Sequence, residues 1–226
     1  MPITVHTISG APRAWRVLMG LTFKGLEWDT ALLQASTRDH KAPTFLELNP
    51  RGTVPVLEAD GLVLRDSIGI LAWLDRRYPD RPLFGETAEE AGTIWQITLE
   101  CCDYLRDAGN RLLFPVLVLG KPLPEPGSEE RVALEASADA MHAECRFLED
   151  LLEHRPFLAG DRPTAADAVA FPEIRLVQRA VETKPEVMSV LGFADPPAIY
   201  PKIAAWKSRI AALPGVDKTL PPHWHA

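Results

Sequence analysis

The sequence predicts an α/β domain followed by an all-helical domain, and three observations carry that prediction. β-rich runs are confined to roughly the first third of the chain, where they alternate with helical patterns. A Pro-rich stretch, Tyr78-Pro79-Asp80-Arg81-Pro82, then interrupts the chain. Beyond it no strand pattern recurs, and long segments carry apolar residues at helical spacing.

Residues 3–7 alternate and are β-rich, so they read as a first strand, and Ser9-Gly10-Ala11-Pro12 follows as a turn. Over residues 13–24, Ala14, Trp15, Val17, Leu18 and Leu21 recur at helical spacing. Pro12 suits the first turn of that helix, where a missing N–H costs nothing, and Gly25 suits its end. A second strand is expected over 26–33, then a polar loop over 36–41 and a short helix over 43–48. Val54-Pro55-Val56-Leu57 and Leu62-Val63-Leu64 flank a turn containing Asp60-Gly61, a strong hairpin signal. Residues 66–78 are helical again, with Ile68, Leu71, Ala72 and Leu74 on one side. The resulting order, β-α-β-α-β-β-α, is thioredoxin-like. Further helices are expected over 88–113, 129–153, 165–181 and 201–212, with the prolines of 122–127 separating the first two. The division is therefore 1–80 for the front domain, 81–87 for the linker and 88–226 for the helical domain.

Composition narrows the functional classes. The chain has 226 residues, 46% of them hydrophobic, enough for a substantial core. A net charge of -7 and a pI near 5.4 argue against nucleic acid or an anionic membrane as main partner, since either needs a basic face. Cys101, Cys102 and Cys145 include no C-x-x-C pair, which argues against a disulfide framework and fits a reducing compartment. They read as buried apolar side chains. The first residues lack the pattern of a signal peptide, and the most apolar run, 112–119, is broken by Pro115. A cytoplasmic location is the expectation. His223-x-His225 offers two ligands at a chain end, a poor metal site, so no metal is expected.

The most informative segment is Asn49-Pro50-Arg51-Gly52-Thr53-Val54-Pro55-Val56-Leu57, followed by Arg65-Asp66-Ser67. A proline ahead of a hairpin strand removes a ladder donor. A cis Val54–Pro55 bond in a tight turn would leave the Val54 N–H and C=O facing outward, free to pair with a bound peptide as an added strand. Ser67, at the start of a helix with free N–H groups, is a natural place for a carboxylate. Taken singly, V-P-V-L is common and Asp-Ser before a helix is usually a cap. Their spacing and strand order make the combination specific.

With these motifs the chain resembles the cytosolic glutathione transferases over nearly its whole length. NPRGTVPVL is similar to that family's glutathione-backbone loop, and RDS to its motif for the γ-glutamyl end. The resemblance implies that Val54, beside Pro55, pairs with the cysteinyl part of glutathione, and that Asp66 and Ser67 hold the γ-glutamyl amine and carboxylate. Gly160-Asp161-Arg162-Pro163-Thr164-Ala165-Ala166-Asp167 resembles the family's buried capping box, in which Thr164 caps a helix and Asp167 reaches back. That box is structural. The stretch from Tyr200-Pro201 through Trp206 to Leu213-Pro214-Gly215-Val216 resembles the family's last helix and exit.

One position departs from the family. Members activate the glutathione thiol with Tyr, Ser or Cys after the first strand, whereas matching Ala11 through Val17 to the zeta- and tau-like pattern puts Ala11 there. Lowering a thiol pKa from about 8.5 to about 6.5 requires about 2.7 kcal/mol favouring the thiolate. A helix N-terminus supplies roughly 0.3–1 kcal/mol, up to ~2 when partly buried. One charge-assisted hydrogen bond adds roughly 1.5–3 kcal/mol. The helix alone falls short, so Ser9 is the first candidate activator and Arg13 the second. Lys41 and Arg51, with His40 behind them, are the candidate cations for the glycine carboxylate of glutathione, and Thr53 stands where some members carry Gln or Lys. The second substrate, a small hydrophobic electrophile, would lie between the domains. Trp95, Cys102, Arg106 and Asn110 fall at helical spacing there, Trp224 can fold over from the tail, and packing is the ordinary role of such residues.

The resemblance implies a homodimer that conjugates electrophiles with glutathione thiolate. Two alternatives stay open: a glutathione-dependent isomerase, suggested by Trp15-Arg16-Val17, and a catalytically weak glutathione-binding or ligand-carrying module, suggested by Ala11. A disulfide oxidoreductase is disfavoured because no cysteine precedes residue 101.

Overall fold

The computed structural model describes residues 2–224. Strand β1 (Ile3–Ile8) buries every second side chain, Ile3, Val5 and Thr7, as its alternation requires. It pairs in parallel with β2 (Asp29–Leu33) and antiparallel with β3 (Val56–Ala59), which pairs antiparallel with β4 (Leu62–Arg65). The sheet order is β2-β1-β3-β4. Asp60 and Gly61, at φ 52° and 79°, form the two-residue hairpin turn whose left-handed residues match the twist of the strands.

Helix α1 (Pro12–Lys24) begins on Pro12 and ends on Gly25 at φ 67°, whose N–H returns to the Leu21 and Thr22 carbonyls. It is buried from Ala14 to Lys24, because the sheet covers one side and the helical domain the other. Helices α2 (Pro43–Leu48) and α3 (Ser67–Arg77) complete the α/β part. Lys24 ties the following segment down by donating to the carbonyls of Asp80 and Arg81 at 3.1 and 3.0 Å.

The helical domain contains α4 (Ala88–Glu100), α5 (Arg106–Leu113), α6 (Glu129–Leu151), α7 (Ala165–Thr183), α8 (Pro185–Val190), α9 (Pro196–Ile199) and α10 (Pro201–Ala211). A π turn at Cys101–Leu105 joins α4 to α5, and a second, Phe114–Val118, prolongs α5 past Pro115. The helix expected over 88–113 is thus one rod with a wide turn inside it, and a second wide turn carries it on to Val118. The strand expected from residue 26 starts only at Asp29. Leu26 and Trp28 pack on the core, and the Leu26 N–H bonds the Leu21 carbonyl in the turn leaving α1.

The predicted capping box is present at the start of α7. Asp167 is fully buried and accepts from the Thr164 N–H and hydroxyl at 2.9 and 3.0 Å. It also accepts from the Leu158 N–H at 3.0 Å and the Trp206 indole N–H at 2.8 Å. One carboxylate therefore joins the α7 start, the preceding loop and α10. Helix α7 also meets α1 through an ion pair: Arg16 donates to Glu173 at 3.0 Å, with both side chains at most 3% exposed. Arg106 of α5 donates to the same carboxylate at 3.2 Å.

Candidate functional site

A mostly polar cavity of about 550 Å³ opens beside the N-terminus of α1. The loop before β3 supplies Asn49, Arg51, Thr53, Val54 and Pro55, the β4–α3 junction supplies Arg65, Asp66 and Ser67, and α1 supplies Arg13. Each wall has a local cause. The buried Asn49 amide donates to the Thr53 carbonyl at 2.7 Å, and its oxygen accepts from the Arg51 N–H at 3.1 Å, folding the loop around one side chain. Lys41 braces the loop from outside by donating to the carbonyls of Arg51 and Gly52 at 3.1 and 2.7 Å. Gly52 sits at φ 56°, and a Cβ there would lie 2.7 Å from the His40 carbonyl oxygen and 2.8 Å from the Lys41 Nζ.

The Val54–Pro55 peptide is cis, as the sequence led us to expect. Among the described residues the Val54 N–H and C=O meet no backbone or side-chain hydrogen-bond partner. On the facing wall Asp66 holds φ 83° and ψ 127°, a backbone conformation that costs a non-glycine residue on the order of 1–3 kcal/mol. Its carboxylate caps α3 by accepting from the N–H groups of Ile68 and Gly69 at 2.9 and 3.2 Å. Ser67, the first residue of α3, is buried at 2% exposure. The cavity thus sets three guanidinium side chains, Arg13, Arg51 and Arg65, against one carboxylate, within a chain that is acidic overall.

Of the candidates named from sequence, Arg13, Arg51, Val54, Pro55, Asp66 and Ser67 come together on this cavity. Ser9 and Lys41 do not line it. The Ser9 hydroxyl lies 2.6 Å from the His223 Nδ1, in a separate hollow of about 140 Å³ between the end of β1 and the C-terminal segment. Ala11 also lines that hollow and is the N-cap of α1 without a capping side chain. His40 stands behind the loop with its Nδ1 buried and unbonded. Asn49 and Arg65 were not named from sequence as wall residues, although each begins a motif singled out there.

A second cavity of about 170 Å³ adjoins the other side of the α1 start, between the domains. Gly10 and Pro12 face it from the front domain, and Arg106, Asn110, Leu113, Phe114 and Leu117 from α5 and the turn beyond. Arg106 and Asn110 thus fall where the sequence placed them. Cys102 instead accepts from Arg16 at 3.4 Å, and burial raises its thiol pKa against the pull of that guanidinium. Trp95 stacks on Phe84 at 4.1 Å. Trp224 packs edge-on against Trp15 at 5.3 Å, beneath the guanidinium groups of Arg175 and Arg179. Burial pushes the Cys145 thiol up to about 12, and raises Cys101 as well. Among the described residues no group of three His, Cys, Asp or Glu side chains has metal-holding geometry; His225 lies outside them. No helix among them is long and apolar enough to cross a membrane.

A sheet of this order carrying a loop–hairpin–helix cavity, packed on a helical domain through α1, is a thioredoxin-like domain joined to an all-helical one, and comparison with known proteins agrees. The glutathione S-transferase N-terminal domain model matches residues 11–77, and the C-terminal domain model matches residues 112–214. The chain belongs to the glutathione S-transferase family. It is 29% identical to glutathione S-transferase 3 of Zea mays over 97% of this chain and 93% of that protein. Glutathione S-transferase 1 of Dianthus caryophyllus is 26% identical over 87% of this chain and 81% of its own length. The crystal structure of a glutathione S-transferase from the Antarctic clam Laternula elliptica superposes with a TM-score of 0.82 at 27% identity, covering 100% of this chain and 94% of that one. Poplar glutathione transferase F1, 19% identical with a TM-score of 0.82 over 100% of both chains, shares the fold.

Proposed function

We propose that this chain conjugates the thiolate of glutathione to a small hydrophobic electrophile. The observation that carries the reading is the adjacency of two unlike cavities at one helix start: Pro12 faces the partly apolar one and Arg13 the polar one. A nucleophile held in the polar cavity would meet an apolar substrate across the first turn of α1. Glutathione bears two carboxylates and one ammonium group, and a wall of three guanidinium groups and one carboxylate complements that balance. In this reading the Val54 N–H and C=O pair with the cysteinyl backbone as an added strand edge. Ser67 and the α3 N-terminus receive the γ-glutamyl carboxylate, Asp66 its ammonium group, and Arg51 the glycine carboxylate. Lys41 acts through the loop it braces.

For thiol activation the geometry favours Arg13 over Ser9. Pro12 offers no N–H, and the Ala14 and Trp15 N–H groups return to the Ala11 carbonyl at 3.1 and 3.0 Å. The Arg13 N–H and guanidinium are then what the helix start presents to a thiolate. We further read 1–80 as the glutathione-holding domain, 81–87 as linker and 88–226 as the electrophile-side domain, in a cytoplasmic homodimer.

Calorimetric titration with glutathione tests the site. The parent chain is expected to bind one glutathione per chain, and Ser67→Ala to weaken binding about tenfold, the loss of one charge-assisted hydrogen bond. Unchanged affinity in Ser67→Ala and Arg51→Ala together would place glutathione elsewhere.

A further inference from the structure

The Phe114–Val118 turn is a wall with a hollow on each side. Phe114, Leu117 and Val118 face the interdomain cavity of about 170 Å³. Pro115 and Val116 face a larger, mostly apolar cavity of about 550 Å³ behind the turn. That space is bounded by Ala133, Leu134 and Ser137 of α6 and by the loop carrying Pro122 and Pro124.

The backbone of the turn is bonded within itself. Pro115 brings no N–H to the ladder of α5. The Leu119 N–H donates to the Phe114 carbonyl at 2.9 Å, and the Lys121 N–H to the Pro115 carbonyl at 3.0 Å. Both bonds lie inside the segment, which can therefore shift as a unit without breaking them. Each end offers a pivot. At the first, the Phe114 N–H donates to the Asn110 carbonyl, the last bond that ties the turn to α5. At the second, Gly120 holds φ 58° with open space around it. Farther on the chain is pinned again, where Arg131 donates to the Pro124 carbonyl at 3.3 Å and the Ser128 hydroxyl to the Glu125 carbonyl at 2.8 Å. Phe114, Val118 and Leu119 are exposed, so displacing them gives up little buried apolar surface. Val116, the buried member, already faces the space that the turn would enter.

A self-bonded apolar segment between two pivots, with open space behind it, can retreat when something presses on its front. We propose that the Phe114–Val118 turn is a yielding wall of the electrophile site. It backs into the larger cavity and so admits electrophiles whose fused-ring apolar group exceeds the interdomain cavity. Wide helical turns are common at functional sites, and here the turn sets how large a substrate can seat. The inference rests on the reading that glutathione lies at the start of α1 with its electrophile between the domains.

S-benzylglutathione and S-(anthracenylmethyl)glutathione share one peptide and differ in ring size, and calorimetric titration reads their binding without catalysis. The parent chain is expected to bind the anthracenyl conjugate at least as tightly as the benzyl one. Ala133→Trp fills the space behind the turn from α6. It should weaken the anthracenyl conjugate at least about tenfold and leave glutathione and the benzyl conjugate at their parent affinities. Ser137→Phe intrudes from the next turn of α6 and decides if Ala133→Trp fails to fold. The proposal is overturned if the parent binds the anthracenyl conjugate more weakly than the benzyl one. It is overturned equally if the folded variant keeps the parent anthracenyl affinity or weakens both conjugates alike. A parent chain that binds neither glutathione nor its conjugates fails the underlying reading, and this inference with it.

Discussion

At the scale of single residues, the proposed conjugation needs a group that would lower the pKa of a bound glutathione thiol, and Ala11 offers no hydroxyl for it. Ser9 has a hydroxyl, but it is 2.6 Å from His223 and in another hollow. Arg13 shares a cavity with Val54 and Ser67. Removing a charge-assisted contact worth roughly 1.5–3 kcal/mol in the transition state slows turnover about 10- to 100-fold. Arg13→Ala is therefore expected to lower kcat for a reactive aryl halide by that factor, and Ser9→Ala to change it less than about threefold. Steady-state kinetics at saturating glutathione decide, and the reverse ranking would return the role to Ser9. The residues concerned were all readable in the sequence as types at positions. The surroundings of the Ser9 hydroxyl were not, because a residue 214 positions away sets where it points.

At the scale of elements, local chemistry was the legible part. Pro12 at the start of α1, Gly25 at its end, the Asp60-Gly61 hairpin and the Thr164–Asp167 box each follow from backbone rules that a short window contains. The late start of β2 and the π turns between α4 and α5 and after α5 were not legible in the sequence. Leu26 and Trp28 look strand-like but pack on the core. A π turn adds a residue without changing the apolar composition, so period counting passes over it. The loop before β3 gives the element-scale prediction. Gly52 is left-handed and a Cβ there would clash with the His40 carbonyl and Lys41, so Gly52→Ala costs backbone strain of roughly 1–2 kcal/mol and displaces the brace. Glutathione affinity should fall at least about tenfold with only a few degrees of change in Tm. Parent-like affinity would mean that the loop does not shape the site.

At the scale of the molecule, the two domains meet along α1. Its N-terminus separates the polar and the apolar cavity, and its buried Arg16 fixes it to Glu173 of α7, which also holds Arg106 of α5. A buried carboxylate shared by two guanidinium groups loses its balance when any member is removed, which makes the arrangement a determinant of how the domains seat on one another. The sequence indicated the two domains and their order, since hydrophobic period and the Pro-rich break are local. This three-way junction could not be read from it, because its members are 67 and 157 positions apart. The domain arrangement matters for function only if a thiolate forms at the meeting point. The direct test is the ultraviolet thiolate absorbance of glutathione bound to the parent chain, titrated against pH. Activation of the thiol at this site predicts a midpoint at least about one unit below the free-thiol value of about 8.5. A bound thiol that titrates at its solution value would contradict it and leave a chain that holds glutathione without activating it.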